Sequence, residues 1–198
     1  DESTPWKKEY NKIGYMISKR LAEEEVYKAC ERGLSVVIVN PASFFGAGDV
    51  NMNEGELIKS IKQRKLKLAP PGGMSVVAVD DVVEGHMRAV ERGRSGERYI
   101  LSNESLLFID LINIIASELG VGGVKRSFPK WSLPFLLPVA GLAERFGMEI
   151  TPQVLNFSFK FRNYDSSKAK RELGWEPKID FRKAIRGAIK FYEEYDLI

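Results

Sequence analysis

The stretch Leu34-Ser35-Val36-Val37-Ile38-Val39-Asn40-Pro41 constrains this chain most. From Val36 to Val39 it is apolar and β-branched at every position, with no alternation. A strand of that kind is covered on both faces, as in a parallel sheet between helix layers. It follows a segment from about Tyr10 to Arg32 that reads as one long amphipathic helix, stopped by Gly33. A helix leading straight into a doubly buried strand is half of an α/β unit.

The alternation continues downstream. Phe44-Phe45-Gly46-Ala47-Gly48-Asp49 reads as a tight turn at the strand's carboxyl end. A polar helix fits 54–64, and Pro70-Pro71-Gly72-Gly73 is a turn. Ser75-Val76-Val77-Ala78-Val79 is a second buried strand, and Asp80 or Asp81 is placed to cap a helix running to Glu91. Glu97-Arg98-Tyr99-Ile100-Leu101 reads as a third strand, and Phe108 to Leu119 as an apolar helix closed by Gly120. From Phe128 onward the pattern is helical and punctuated by Pro129, Pro134, Pro138, Pro152 and Pro177.

Composition excludes several classes. With 198 residues a single core buries roughly two-thirds of its unfolded surface, so no staple is required. A hydrophobic share of 44% is too high for disorder. Thirty basic against 27 acidic residues, net +3, leave no electrostatic footprint for nucleic acid. The one cysteine, Cys30, excludes an internal disulfide framework and fits a reducing compartment, so a cytoplasmic location is expected. No run reaches about 18 apolar residues, so no membrane span is expected. The opening Asp1-Glu2-Ser3-Thr4-Pro5-Trp6 lacks the pattern of a signal peptide, and no methionine starts the chain.

Chemistry concentrates in Gly14-Tyr15-Met16-Ile17-Ser18-Lys19. Tyr15 and Lys19 stand four apart and share a helical face. At about 100° per residue, Ala22, Val26, Ala29 and Cys30 fall on that face too, so the stripe expected to point inward begins with a phenol and an ammonium. A tyrosine working as acid/base near pH 7 needs its pKa lowered by roughly 3 units, about 4 kcal/mol in favour of the phenolate. A neighbouring cation acts in that direction. The alternative is that Tyr15 caps a core while Lys19 snorkels to water, and the pair alone does not decide between them.

The context of the pair is informative. Tyr15-Met16-Ile17-Ser18-Lys19 is followed by Leu21-Ala22-Glu23, by the strand from Gly33 to Pro41, and by Phe45-Gly46-Ala47-Gly48-Asp49. Then come Val79-Asp80-Asp81-Val82-Val83-Glu84-Gly85-His86 and Gly96-Glu97-Arg98-Tyr99-Ile100-Leu101. Ser167-Lys168-Ala169 and Glu172-Leu173-Gly174-Trp175-Glu176-Pro177 complete the series. These segments, in this order, resemble the extended short-chain dehydrogenase/reductases, the NAD-dependent epimerase/dehydratase family, over nearly the whole chain. Within it the chain looks most like the dihydroflavonol-reductase-like and hopanoid-associated sugar-epimerase branch.

The resemblance implies roles at the matching positions. Tyr15 would be the general acid/base on the substrate oxygen. Lys19 would hold the nicotinamide ribose and lower the Tyr15 pKa. Pro41, Ala42 and Ser43 would meet the nicotinamide of NAD or NADP, in keeping with ligand binding beyond the carboxyl ends of strands. Asn40, Phe44 and Arg162 are the candidate substrate contacts.

Three departures accompany it. The family's glycine-rich phosphate loop is absent, since Gly46-x-Gly48 follows a late strand and precedes polar residues. The family's catalytic serine or threonine is absent as well, because Ser3 and Thr4 lie too close to Tyr15. Many sugar-nucleotide members carry an arginine just before the strand that ends in Asp-Asp, where Met74-Ser75-Val76-Val77 stands here. Arg162 either compensates for that phosphate donor or is a surface arginine.

Other features read blandly. His86, the single histidine, lies inside a helix and is expected to be structural, and one histidine with one cysteine forms no zinc cluster. Lys59, Lys62, Arg64, Lys65 and Lys67 suit a solvated helix face. The segment from Trp131 to Val139 reads as a substrate lid, a membrane-surface contact or a helix packed near the substrate cleft, the last being favoured. Ile13, Met16, Ile17 and Tyr27 form a separate apolar patch, expected to be bare and to pack on a symmetry mate.

The expected fold is therefore α/β, the carboxyl-terminal part of a doubly wound Rossmann-type fold with a smaller, mostly helical substrate domain. Residues 1–50 and 75–102 would belong to the dinucleotide-binding domain, its amino-terminal half absent, and residues 51–74 and 103–198 to the substrate domain. The expected activity is NAD(P)-dependent hydride transfer at a carbonyl or secondary alcohol of a small-molecule substrate, as a reductase or within a nucleotide-sugar epimerase or dehydratase cycle. The expected partners are the missing half of the same enzyme and a second copy in a homodimer. A non-catalytic nicotinamide-sensing or assembly module is the alternative.

Overall fold

A computed structural model describes residues 1–7, 10–11, 13–146 and 151–198. The first helix, α1 (Gly14–Glu31), starts four residues later than its periodicity suggests and ends at Gly33, whose φ of 96° is open only to a residue without a Cβ penalty. The β-branched run becomes β1 (Ile38–Pro41), joined through Ala42 to β2 (Ser43–Phe45). Then follow α2 (Gly55–Lys62), β3 (Gly73–Ala78), α3 (Val79–Arg92), β4 (Arg98–Leu101), β5 (Glu104–Leu107) and α4 (Phe108–Glu118). After a 3-10 turn at Lys130–Ser132 the chain is helical, with α5 (Leu133–Arg145), α6 (Pro152–Ser158), α7 (Ser167–Leu173) and α8 (Phe181–Glu194).

The strands form two small sheets. β1 and β4 pair in parallel, Ile38 opposite Arg98 and Pro41 opposite Leu101. β3 is central in the second sheet, parallel to β2 and antiparallel to β5. Each sheet has its own core. Tyr99, Leu101, Val82, Leu173 and Trp175 pack around the β1–β4 pair with α3 and α7. Helix α3 approaches β4 so closely that a Cβ on Gly85 would lie 2.2 Å from a Leu101 methyl, which is why glycine stands there. Phe45, Val76, Leu111, Ile115, Ile185 and Tyr192 form the other core between the second sheet and α2, α4 and α8. Phe45 meets Phe181 edge to face at 5.1 Å between centroids.

Several expectations are corrected. Neither Asp80 nor Asp81 caps α3, whose N-cap is Ala78; the Asp81 carboxylate instead accepts the amides of Lys178 and Ile179, each at 3.0 Å. The α1 stripe does not point into a core. No residue of α1 is buried, Tyr15 is 67% exposed, and both core clusters are built without this helix. The Ile13, Met16, Ile17 and Tyr27 patch is half-buried rather than bare, with Met16 and Tyr27 bordering the cleft described next. Tyr10 and Asn11 precede α1 as a short turn, and Lys12 lies outside the described residues.

Candidate active site

The carboxyl ends of β1 and β2 open into a cleft of about 1330 Å³. Backbone pairing delivers its floor: the Ala42 amide donates to the Leu101 carbonyl at 2.8 Å, extending the β1–β4 ladder by one residue and fixing Pro41, Ala42 and Ser43 at the rim. One wall is the start of α1, with Tyr15, Met16 and Lys19. Phe157 at the end of α6 and the stretch from Phe161 to Tyr164 that follows it line the cleft as well. All eight site residues expected from the sequence, Tyr15, Lys19, Asn40, Pro41, Ala42, Ser43, Phe44 and Arg162, border this one cleft although 147 positions separate the first from the last.

Helical spacing places the Lys19 ammonium 5.5 Å from the centre of the Tyr15 ring. Glu23, one further turn along α1, accepts the Asn40 amide at 2.8 Å and the Arg98 guanidinium at 3.3 Å. Glu23 thus ties the helix bearing Tyr15 to the strand ends that form the floor.

Arg162 is half-buried rather than a surface arginine. Its backbone is held by Gly73, whose carbonyl accepts the Arg162 amide at 3.0 Å, and its guanidinium lies 4.7 Å over the Phe157 ring. Its Nε is buried without a hydrogen-bond partner among the described residues. A buried donor with no acceptor, at the wall of a cleft, is suited to a ligand oxygen.

Sequence reasoning missed an acidic corner of the same cleft. Asp49 gathers the amides of Asn53 at 3.0 Å, Glu54 at 3.0 Å and Gly55 at 3.2 Å, which holds the start of α2. Burial pushes the neighbouring Glu54 carboxyl up to about 7, and the Asp49 charge adds to the effect. An acidic residue shortly before a helix was the available signal for Asp49. None existed for Glu54. An aromatic run was missed too: Trp6 meets Tyr10 edge to face at 5.4 Å, and Tyr10 stacks on Phe157 at 6.1 Å, closing one end of the cleft.

Two expected elements lie elsewhere. His86 is exposed on α3, its Nδ1 2.8 Å from the Val82 carbonyl, away from the cleft. The Trp131–Val139 segment does not reach the cleft; α5 packs on α6 and turns its largest side chains outward, with Trp131 72% and Phe135 71% exposed.

Comparison with known proteins agrees with this architecture. Over 195 residues the chain is 29% identical to a Synechocystis protein bearing the provisional name dihydroflavonol 4-reductase, covering 93% of this chain and 56% of the relative. The crystal structure of gox2253 superposes with a TM-score of 0.82 at 35% identity, covering 100% of this chain and 61% of that one. DesIV, a dTDP-glucose 4,6-dehydratase from Streptomyces venezuelae solved with NAD bound, superposes with a TM-score of 0.69 at 19% identity over 98% of this chain and 54% of that one, a likeness of fold. The chain thus spans a little over half the length of these proteins. Residues 1–102 match the NAD dependent epimerase/dehydratase family, and the chain belongs to that family of Rossmann-type oxidoreductases and epimerases.

Proposed function

We propose that the complete protein carrying this chain moves a hydride between NAD or NADP and a carbonyl or secondary alcohol of a small-molecule substrate. The observation that carries this reading is the meeting of Tyr15, Lys19 and Pro41–Ser43 at one cleft beyond the strand ends. The nicotinamide end of the cofactor fits there: a cation beside a phenol, bordered by the junction of β1 and β2 at Pro41, Ala42 and Ser43. When bound, the cofactor supplies or accepts the hydride.

The chain's own residues handle the proton. Tyr15 donates its phenolic proton to the substrate oxygen during reduction and takes one back in the reverse direction. The Lys19 ammonium, 5.5 Å from the centre of the Tyr15 ring, donates to the nicotinamide ribose hydroxyls. Asn40, Phe44 and Arg162 position the substrate, the Arg162 Nε offering a donor that none of the described residues satisfies. Water exclusion falls to the Trp6, Tyr10 and Phe157 wall.

The cleft favours a reductase of an apolar carbonyl compound over a nucleotide-sugar enzyme. Its position ahead of Asp80-Asp81 holds Met74 and Ser75 where a diphosphate would want a bidentate cation, and the walls are rich in aromatic side chains. The name of the Synechocystis relative points the same way. Residues 1–50 and 75–102 would serve the cofactor, and residues 51–74 and 103–198 the substrate. A homodimer through α1 fits the absence of any buried residue on that helix and the 54% exposure of Leu21. A cytoplasmic location rests on the single cysteine. The test is steady-state oxidation of NADH and NADPH by the complete protein with aromatic and alicyclic ketones, beside Tyr15→Phe. No turnover with any carbonyl, or turnover untouched by Tyr15→Phe, rejects the reading.

A further inference from the structure

Trp131, Phe135, Val139, Leu142 and Phe146 recur every three or four residues from the 3-10 turn through α5 to its last turn, so they fall on one line. They are 72%, 71%, 63%, 58% and 79% exposed. Pro134 and Pro138 are exposed between them, and no charged side chain stands from Trp131 to Ala143. The other side of α5, with Ala140 buried, rests on α6. The result is a convex apolar ridge about 22 Å long at 1.5 Å per residue. A monomer in water rarely leaves such a feature bare.

Charge selects the occupant. The charged residues that lead into the ridge after Leu119 are Lys125, Arg126 and Lys130, all basic and all exposed, while the exposed Glu144 and Arg145 at its far end cancel in charge. Among the described residues none of the three is paired with a carboxylate. Apolar side chains entering the acyl boundary, a tryptophan at its edge and cations among phosphates are the components of binding to an anionic bilayer surface. A second copy suits the ridge less. Parallel pairing of two such ridges would bring the basic ends together. No helix among the described residues is long and apolar enough to cross a membrane, so the contact is one of lying on the surface.

We infer that the α5 ridge docks this protein peripherally on an anionic lipid surface. Helix α6, which supports the ridge, carries Phe157 at the wall of the cleft, so docking sets the cleft one helix away from the bilayer. The inference goes beyond the proposed hydride transfer and does not depend on it.

The test is sedimentation of the complete protein with large vesicles of phosphatidylcholine alone or mixed with phosphatidylglycerol, at low and high salt. Binding is expected to the mixed vesicles, weakening with salt. Phe135→Asp should lower the partition coefficient at least tenfold. Replacing Lys125 and Lys130 by Ser should lower it roughly fivefold per cation on anionic vesicles only. Those two lysines are exposed and lie outside the core, so this variant serves if Phe135→Asp fails to fold. A blue shift of tryptophan emission on vesicle addition should vanish in Trp131→Phe. Equal binding to both vesicle types, no binding, or binding unchanged in Phe135→Asp overturns the inference. So does a dimer in light scattering that Phe135→Asp dissolves while vesicles capture nothing, which would make a second copy the occupant.

Discussion

The phenol of Tyr192 donates a 2.9 Å hydrogen bond to the carboxylate of Asp49, joining residues 143 positions apart. This contact pins α8 to the loop that leaves β2 beside the cleft. Burial alone would raise the Asp49 pKa, but the Asn53, Glu54 and Gly55 amides and the Tyr192 phenol together hold it below the usual carboxylate range. Burial, with the hydrogen bond to Asp49, pushes the phenol far up, so it stays a donor. Tyr192→Phe removes one hydrogen bond to a charged acceptor and should lower unfolding free energy by about 1.5–3 kcal/mol. Urea unfolding followed by circular dichroism measures it, and a loss near zero would show the bond to be idle.

Glu54 should make stability depend on pH. Its carboxyl is pushed from 4.5 up to about 7, so the folded state binds its proton more tightly than the unfolded chain does. The stabilisation is then fully present below pH 4.5 and lost as pH rises through about 7. Glu54→Gln keeps the neutral form at every pH. It should flatten the slope in that window and leave the variant more stable than the parent above pH 7, by one to a few kcal/mol as an order of magnitude. Parallel melting curves across the window decide it, and an unchanged slope removes Glu54 from the account.

Turnover should separate the roles of the helix pair. Tyr15→Phe in the complete protein should lower kcat by about 10²–10⁴-fold with nucleotide affinity nearly intact, because the proton alone is lost. Lys19→Met should weaken both turnover and nucleotide binding. A Tyr15→Phe enzyme with loosened nucleotide binding would show that the phenol holds the cofactor rather than the proton.

Asp81 is buried on α3 and accepts two amides from the turn before α8, while its own carbonyl accepts the Trp175 indole N–H at 2.8 Å. Asp81→Ala leaves the Lys178 and Ile179 amides without their acceptor, at about 1–3 kcal/mol for each group that water cannot reach. A fall in Tm of several degrees is expected. A Tm within one degree or so would mean the turn rearranges freely.

The 198-residue chain by itself has no glycine-rich phosphate loop. Charge-assisted phosphate contacts contribute roughly 1.5–3 kcal/mol each, so a chain offering only the nicotinamide end should bind NAD(P) no tighter than about millimolar. Titration calorimetry on this chain reads it directly, and micromolar affinity would contradict it.

β3 is legible because Val76, Val77 and Ala78 are consecutive, apolar and buried; β1 carries the β-branched pair Ile38–Val39 but is only half-buried along its length, and in β4 burial alternates, with Tyr99 and Leu101 inward. The pairing of Tyr15 with Lys19 was legible for a similar reason, since helical spacing alone brings positions four apart together. Two elements were not legible. Ser43–Phe45 and Glu104–Leu107 are too short for an alternation to show, and they are strands because β3 lies between them to receive their hydrogen bonds. The direction of a helix face was decided by tertiary structure as well. The apolar stripes of α1 and α5 are both written in the sequence, yet neither points into a core, because a stripe records what a helix can bury and not what arrives to cover it. The Asp49–Tyr192 bond belongs to the same class: it exists because the chain returns α8 to the loop after β2, and no local pattern encodes a return over 143 residues.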